Sequence, residues 1–304
     1  MSMHWIKPDT KIPFVRIMKY TTGLVSITAI LLAVLALVRH GGLIYGIDFK
    51  GGSNVELKFK QPVEIDAVRG GLDTVGLGKS EIKYFGDRQS VLLATEMSTT
   101  DVKGVEAEVR KALDGKFGAG AYEIQRVEMV GPKVGADLRA QAFWAVMVSL
   151  VLILGYITWR FEFKFALGAI VATTHDVVIA LGLFTLLGKT FTLPVLAAIL
   201  TIAGYSTNDT IVVFDRIREN LRRGARQTLG DTIDLSINET LSRTVLTALT
   251  VVIVLVALYV YGGEIIRDFA WVMLLGVLIG TYSSIFVASP IVLLWQGKGI
   301  RLRK

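Results

Sequence analysis

The 304-residue chain is 52% hydrophobic, with a mean hydropathy of +0.55 and a net charge of +7. A soluble protein of that length would hold one or two domains, but several uncharged runs here are long enough to cross a bilayer, which excludes the soluble class. There is no cysteine, which excludes disulfides, thiolate metal sites and cysteine nucleophiles.

The N-terminal stretch MSMHWIKPDTKIPFVRIMKY is basic and aromatic. The apolar run after it exceeds a signal-peptide core, and no small-residue cleavage site follows, so it reads as a retained first span. That span is Thr21–Val38, preceded by a tail over residues 1–20. Residues 39–141 are charged and mixed, with no run able to cross a bilayer. Membrane character resumes in Ala142–Trp159, Phe165–Leu187, Phe191–Phe214, Leu241–Tyr261 and Phe269–Trp295, a five-helix remainder over residues 142–295, followed by a short tail, 296–304. The fold class is therefore an all-α bundle of six transmembrane helices with one inserted domain.

That insert reads as α+β. GLIYGIDFKGGSNVELKF looks like a strand or hairpin, with alternation from Asn54 to Phe59. Val63–Val75 has helical spacing, weakened by Gly70 and Gly71. Glu81–Phe85 and Ser90–Thr95 flank the turn Gly86-Asp87-Arg88-Gln89. Thr100–Phe117 is a helix capped by Ser98 or Thr99, and Tyr122–Val130 closes the domain as a strand. The order βαββαβ is that of a ferredoxin-like sandwich, which names no activity. VGPKVGADLRAQ then reads as a short linker, either passing motion between domain and bundle or simply joining them.

Orientation follows from the lysines and arginines beside each span. Lys7, Lys11, Arg16 and Lys19 precede the first span. Arg160 and Lys164 follow the second, Arg216 to Arg226 follow the fourth, and Lys298 to Lys304 follow the sixth. Lys189 and Arg267 are the only ones in the alternate connections. Both termini are thus expected in the cytoplasm and the inserted domain outside it. The same bias accounts for the arginine-rich loop without invoking nucleic acid.

The fourth span carries the chain's most informative residues. Asp209 is its single charge, within the polar island Thr201, Gly204, Tyr205, Ser206, Thr207, Asn208 and Thr210. A carboxylate in a membrane helix is costly and normally faces the protein interior. Ile202, Tyr205, Asp209 and Arg216 share one helical stripe, and Gly204 admits a neighbouring helix. Asp209 either fixes helix packing or serves an ion or proton relay. In the fifth span Ser236, Thr240, Arg243, Thr247 and Thr250 share a stripe, and Arg243 lies at a depth that suits pairing with Asp209, although a snorkelling anchor is an equal reading. His175 and Asp176, midway along the third span, are either a satisfied hydrogen-bonding pair or an extension of the relay. No catalytic constellation, metal spacing or cofactor motif stands out. Gly46-Ile-Asp-Phe-Lys-Gly51-Gly52 lacks the context of a nucleotide loop and reads as a tight turn with a side-chain hydrogen bond from Asp48.

Taken together, GIDFKGGSNVEL, VGPKVGADL, HDVVIALG, GYSTNDTIVVFDRIREN and LSRTVLT, spaced over essentially the whole chain, resemble the SecF family of the bacterial SecDF protein-export complex. That family belongs to the resistance–nodulation–division superfamily of proton-driven membrane proteins. The resemblance implies a non-enzymatic transport component of the cell inner membrane, without a cofactor. Its partners would be SecD, forming a pseudo-symmetric twelve-span unit, the SecYEG channel, YajC and the unfolded exported polypeptide. It also implies that Asp209 is the proton-path acid and Arg243 its partner, with Asn208, Thr247, His175 and Asp176 around them. Gly46, Asp48, Gly51 and Gly52 match the family signature beside the head domain. A small-molecule or lipid exporter of the same superfamily, or a scaffold of the translocase, are the competing readings.

Overall fold

The computed structural model describes residues 10–96, 102–223 and 228–294. The expected cap at Ser98 or Thr99, the extreme termini and part of the arginine-rich loop lie outside these residues. In chain order the elements are α1 (Phe14–Arg39), α2 (Ile47–Lys50), β1 (Gly52–Phe59), α3 (Ile65–Leu72), β2 (Glu81–Phe85), β3 (Asp87–Thr95), α4 (Val102–Phe117) and β4 (Tyr122–Val130). Then come α5 (Pro132–Arg160), α6 (Phe163–Leu186), α7 (Leu193–Arg222), α8 (Leu229–Tyr261) and α9 (Ile265–Leu294). Six of these helices are long and apolar enough to cross a membrane.

The inserted domain is a four-stranded antiparallel sheet in the order β2-β3-β1-β4, with α3 and α4 on one face. Alternation along β1 turns Val55, Leu57 and Phe59 inward, against Val68 and Leu72 of α3 and Val105, Val109 and Leu113 of α4. Each of the larger side chains contributes about 1.5–3 kcal/mol by leaving water. The Gly46–Gly52 stretch departs from the expected strand or hairpin. Ile47–Lys50 is a single helical turn, and the chain leaves it through Gly51 and Gly52 with φ of +81° and +130°. L-residues rarely adopt that backbone, and a Cβ on Gly52 would also fall 2.4 Å from the Thr95 carbonyl.

Three spans begin seven or more residues before their expected limits, each for a local reason. α1 begins at Phe14 because Asp234 and Asn238, one turn apart on α8, accept from the otherwise unpaired amides of Val15 and Ile12 at 2.7 and 3.0 Å. The end of the expected tail is therefore docked helix. α8 begins at Leu229, where Thr228 and Asp231 form a capping box. α5 begins at Pro132, so VGPKVGADLRAQ is not a linker of its own. Only Gly131, with extended backbone, separates β4 from a helix that continues through the membrane region to Arg160.

The bundle core consists of two apolar clusters. One holds Phe165, Phe214, Ile217, Ile233, Ile237 and Ala288, and the other holds Phe49, Phe184, Val195, Ile199, Ile202 and Val277. Residues 173–176 of α6, 206–210 of α7 and 280–284 of α9 fall between them, and these are polar or small.

Candidate functional site: a hydroxyl-clad pair of carboxylates

Two acids occupy the layer between the apolar clusters, and among the described residues neither is paired with a lysine or arginine there. Asp176, on α6, is fully buried. One of its oxygens accepts from Ser206 of α7 at 2.5 Å and from Ser283 of α9 at 2.6 Å, and the other lies 2.8 Å from Nδ1 of His175. Asp209, on α7, accepts from Thr244 of α8 at 2.8 Å and from Ser284 of α9 at 2.7 Å. The consecutive residues Ser283 and Ser284 thus reach one carboxylate each. A helix normally turns successive side chains about 100° apart, so both acids must flank the same point of α9.

That point is where α9 changes its winding. Ser284–Ala288 is a π-helical segment, and a second one, Thr21–Ser26, lies within α1. The two face each other. Tyr282 Oη donates to the Thr21 carbonyl at 3.1 Å and lies 3.0 Å from the Ser26 hydroxyl, while the Thr22 hydroxyl donates to the carbonyl of Phe286. Short π segments inside membrane helices release backbone carbonyls and recur at functional positions. The layer is completed by Thr173 and Thr207, whose hydroxyls are 3.1 Å apart, and by Gly280, whose missing side chain lets Ser206 approach. His175 Nε2 and Thr210 Oγ1 are buried without a partner among the described residues.

Among the described residues, the other expected relay residues donate no hydrogen bond to either carboxylate. No ion pair joins Arg243 to Asp209 among the described residues; Thr244, the next residue, turns inward to the carboxylate instead. Arg243, Thr247 and Asn208 are exposed on the isolated chain, as are Thr201 and Gly204. Gly204 has no atom within 4 Å of where its Cβ would stand, so it admits no helix of this chain; the close approach to α7 comes from Gly276 and Gly280 of α9. A polar face on α7 and α8 is thereby left facing outward in the membrane region. On the α8 stripe, Ser236 and Thr240 are buried and the residues from Arg243 onward are exposed.

The glycine-rich motif lies at the other end of α7. Asp48 Oδ2 accepts from the Leu193 amide at 2.9 Å, which caps the first turn of α7 from 145 positions earlier in the chain. Thr192, the local N-cap residue, makes no side-chain cap bond, and Pro194 has no amide to satisfy. Gly46 N donates to Phe191 O and Phe191 N donates to Ile44 O, at 2.9 and 2.6 Å. Phe49 is buried and stacks on Phe191. On the opposite side Gly135 of α5 approaches so closely that a Cβ would be 2.8 Å from Gly51 N. The motif is therefore not a free turn. It is a wedge that joins the inserted domain to the start of α7, the helix that carries Asp209.

Comparison with known proteins accounts for both halves of this arrangement. Residues 109–298 match the model of the SecD/SecF C-terminal family of protein export membrane proteins, and residues 40–63 match the SecD/SecF GG motif. The protein translocase subunit SecF of Desulfurispirillum indicum is 47% identical over 297 residues, which is 95% of this chain and 93% of that one. The SecF of Gemmatimonas aurantiaca is 40% identical over 97% of this chain and 90% of that one. The chain belongs to the SecF family of protein translocase subunits.

Among solved structures, SecDF from Thermus thermophilus, described as a translocon-associated membrane protein, superposes with a TM-score of 0.85 at 37% identity, covering 96% of this chain and 39% of that one. SecDF in its super-membrane-facing form gives 0.69 at 36% identity, with 97% and 40% covered. The chain thus spans about two-fifths of the SecDF chains that it matches. As a SecF-family member with six such helices it is a multi-pass membrane protein and a transport component. Sequence reasoning passed over Ser283, Ser284 and Thr244, although Thr281-Tyr282-Ser283-Ser284 is a polar island in the last span of the same kind that drew attention to Asp209.

Proposed function

We propose that this chain is the SecF half of a proton-driven export unit. Paired with SecD, and working beside the SecYEG channel with YajC, it uses the proton-motive force to draw unfolded polypeptide outward late in translocation. The single observation that carries this reading is the pair of carboxylates served by Ser283 and Ser284. Two acids held by neutral hydroxyls and one histidine in a membrane bundle are poised to hold protons, whereas a packing role alone needs no second acid.

The chemistry follows from hydrogen-bond roles. An ionised Asp209 accepts from both Thr244 and Ser284. Once protonated it carries a donor, so one of those hydroxyls must turn and accept, and the contact between α7, α8 and α9 changes. One charge moved through 100 mV is worth about 2.3 kcal/mol, enough to bias two helix arrangements by more than tenfold. The π-helical turn beginning at Ser284 supplies a place where winding can shift. Displacement of α7 reaches the head through Asp48 and Leu193, and reaches α5 through Gly135. The outward polar face with Asn208, Arg243 and Thr247 is the surface that SecD covers, and there Arg243 finds its carboxylate.

We further infer an inner-membrane location with cytoplasmic termini and a periplasmic head. Arg160, Arg218, Arg222 and Arg223 stand at the end of α5 and α7 remote from the head, which supports this orientation. The test is export into vesicles that contain SecYEG, SecD and this chain, with and without a proton gradient. Asp209→Asn should assemble with SecD and lose the stimulation by the gradient. Full stimulation in that variant would reduce Asp209 to a packing residue and leave a scaffold. Export of a small solute or lipid instead of polypeptide would favour an exporter of the same superfamily.

A further inference from the structure

At the end of the bundle remote from the head, a cavity of about 340 Å³ opens between the last turns of α5 and α7. Arg160, Asp215, Arg218, Glu219, Arg222 and Arg223 line it. Its charges are not mutually satisfied. Asp215 lies 4.0 Å from Arg160, and Glu219 serves Arg223 and Arg216. Among the described residues neither Arg218 nor Arg222 has an ion pair. Arg218 is held by neutral groups, donating to the Arg160 carbonyl at 3.3 Å and lying over the Phe161 ring.

A second observation sets the depth of this cavity. Tyr156, Trp159 and Phe163 beside it are 54%, 83% and 55% exposed, and Val148, Val151 and Leu152 continue the exposed apolar surface of α5 toward the membrane centre. Exposed tryptophan and tyrosine at a helix end mark the headgroup level of a bilayer. Cations at that level, beside an exposed apolar helix face, match a phosphate with acyl chains below it. We propose that this cavity is a binding site for an anionic phospholipid, with Arg218 and Arg222 holding the headgroup phosphate, Arg160 at its edge, and the acyl chains lying along α5. The site is independent of the proton reading above. It commits to a lipid rather than to an acidic protein segment because the arginines adjoin a continuous apolar surface.

The test uses the full-length chain, purified in detergent and equilibrated with mixed micelles of phosphatidylglycerol and phosphatidylcholine. Native mass spectrometry then counts the lipids retained. The wild type should retain phosphatidylglycerol preferentially. Arg218→Gln with Arg222→Gln should lose that preference by roughly fivefold per charge. Arg16→Gln with Lys19→Gln, the same change of charge at the same end but outside the cavity, should retain it. Arg218→Lys with Arg222→Lys should recover most of it. Inorganic phosphate should not displace the lipid, because the acyl chains contribute to binding. If the double variant does not fold, Arg222→Gln alone reads the same effect at roughly fivefold, since Arg222 has no ion pair to lose. Equal retention by wild type and the glutamine pair would overturn the proposal. So would displacement by inorganic phosphate, or a photo-crosslinker at position 222 that captures a protein segment instead of lipid.

Discussion

Asp48→Ala removes the side-chain acceptor that, among the described residues, joins the inserted domain to the first turn of α7. The Asp48 carboxylate accepts from Leu193 N at 2.9 Å, and the local N-cap residue Thr192 offers no substitute. Losing an N-cap acceptor costs about 1 kcal/mol, and losing a negative charge beside the helix N-terminus costs about 0.5 kcal/mol more. Local opening of this turn should therefore become roughly tenfold more frequent. Hydrogen exchange followed by mass spectrometry reads this directly in peptides that cover residues 190–197. Exchange should quicken there and at Gly46 and remain unchanged in β1 to β4. Asp48→Asn keeps an acceptor oxygen and loses only the charge, so its effect should be about one-third of the full cost. In the export assay both variants should still assemble with SecD, with coupling weaker in the alanine variant. Unchanged exchange at residues 190–197 in a folded Asp48→Ala protein would refute the wedge. An Asp48→Asn protein that exchanges like wild type would refute its electrostatic part.

Gly135→Ala would set a methyl 2.8 Å from Gly51 N, 2.9 Å from Phe49 O and 3.0 Å from Phe49 C, all backbone atoms that cannot rotate away. It should cost about 1–3 kcal/mol in thermal unfolding. Gly155→Ala, on the same helix with nothing within 4 Å, should be neutral or mildly stabilising. Ser283→Ala and Ser284→Ala each delete the hydroxyl that donates to Asp176 and Asp209 respectively, an interaction worth about 1 kcal/mol in a membrane bundle. Ser284→Ala, at Asp209, should also change the response of export to the gradient. In the head, burial and then the hydrogen bond to Asp114 hold the Tyr122 phenol well above its ordinary value of 10.0. A phenol raised on folding stabilises the head fully below pH 10.0, and the contribution is lost as pH rises beyond that. Stability should therefore fall above that pH in wild type, and the fall should be shallower in Tyr122→Phe.

The elements whose patterns are local were legible in the sequence. Alternation in Asn54–Phe59 marked a strand because one face is buried, and the long apolar runs marked the spans because length and hydropathy suffice. What escaped depends on partners distant in the chain. Ile47–Lys50 is too short for any periodicity, and its conformation is set by Phe191 and Gly135. The start of α1 at Phe14 depends on Asp234 and Asn238 of α8. At the site, the cost of a membrane acid singled out Asp209 and Asp176, but charge complementarity suggested Arg243 as the partner of Asp209. Neutral hydroxyls hold that carboxylate instead, because Thr244 and Ser284 point inward where Arg243 points out. The stripe rule could not tell which part of α8 is covered by this chain and which is exposed.

The central claim is that Asp209 takes up and releases a proton within the membrane, and infrared difference spectroscopy tests it most directly. The full-length chain, reconstituted with SecD, is stepped between acidic and alkaline buffer while the carbonyl stretch of protonated carboxylic acids is recorded. The account predicts a band in wild type that is diminished in Asp209→Asn, shifted in Ser284→Ala because one hydrogen bond is gone, and retained in Asp48→Ala. An identical band in wild type and Asp209→Asn would contradict it.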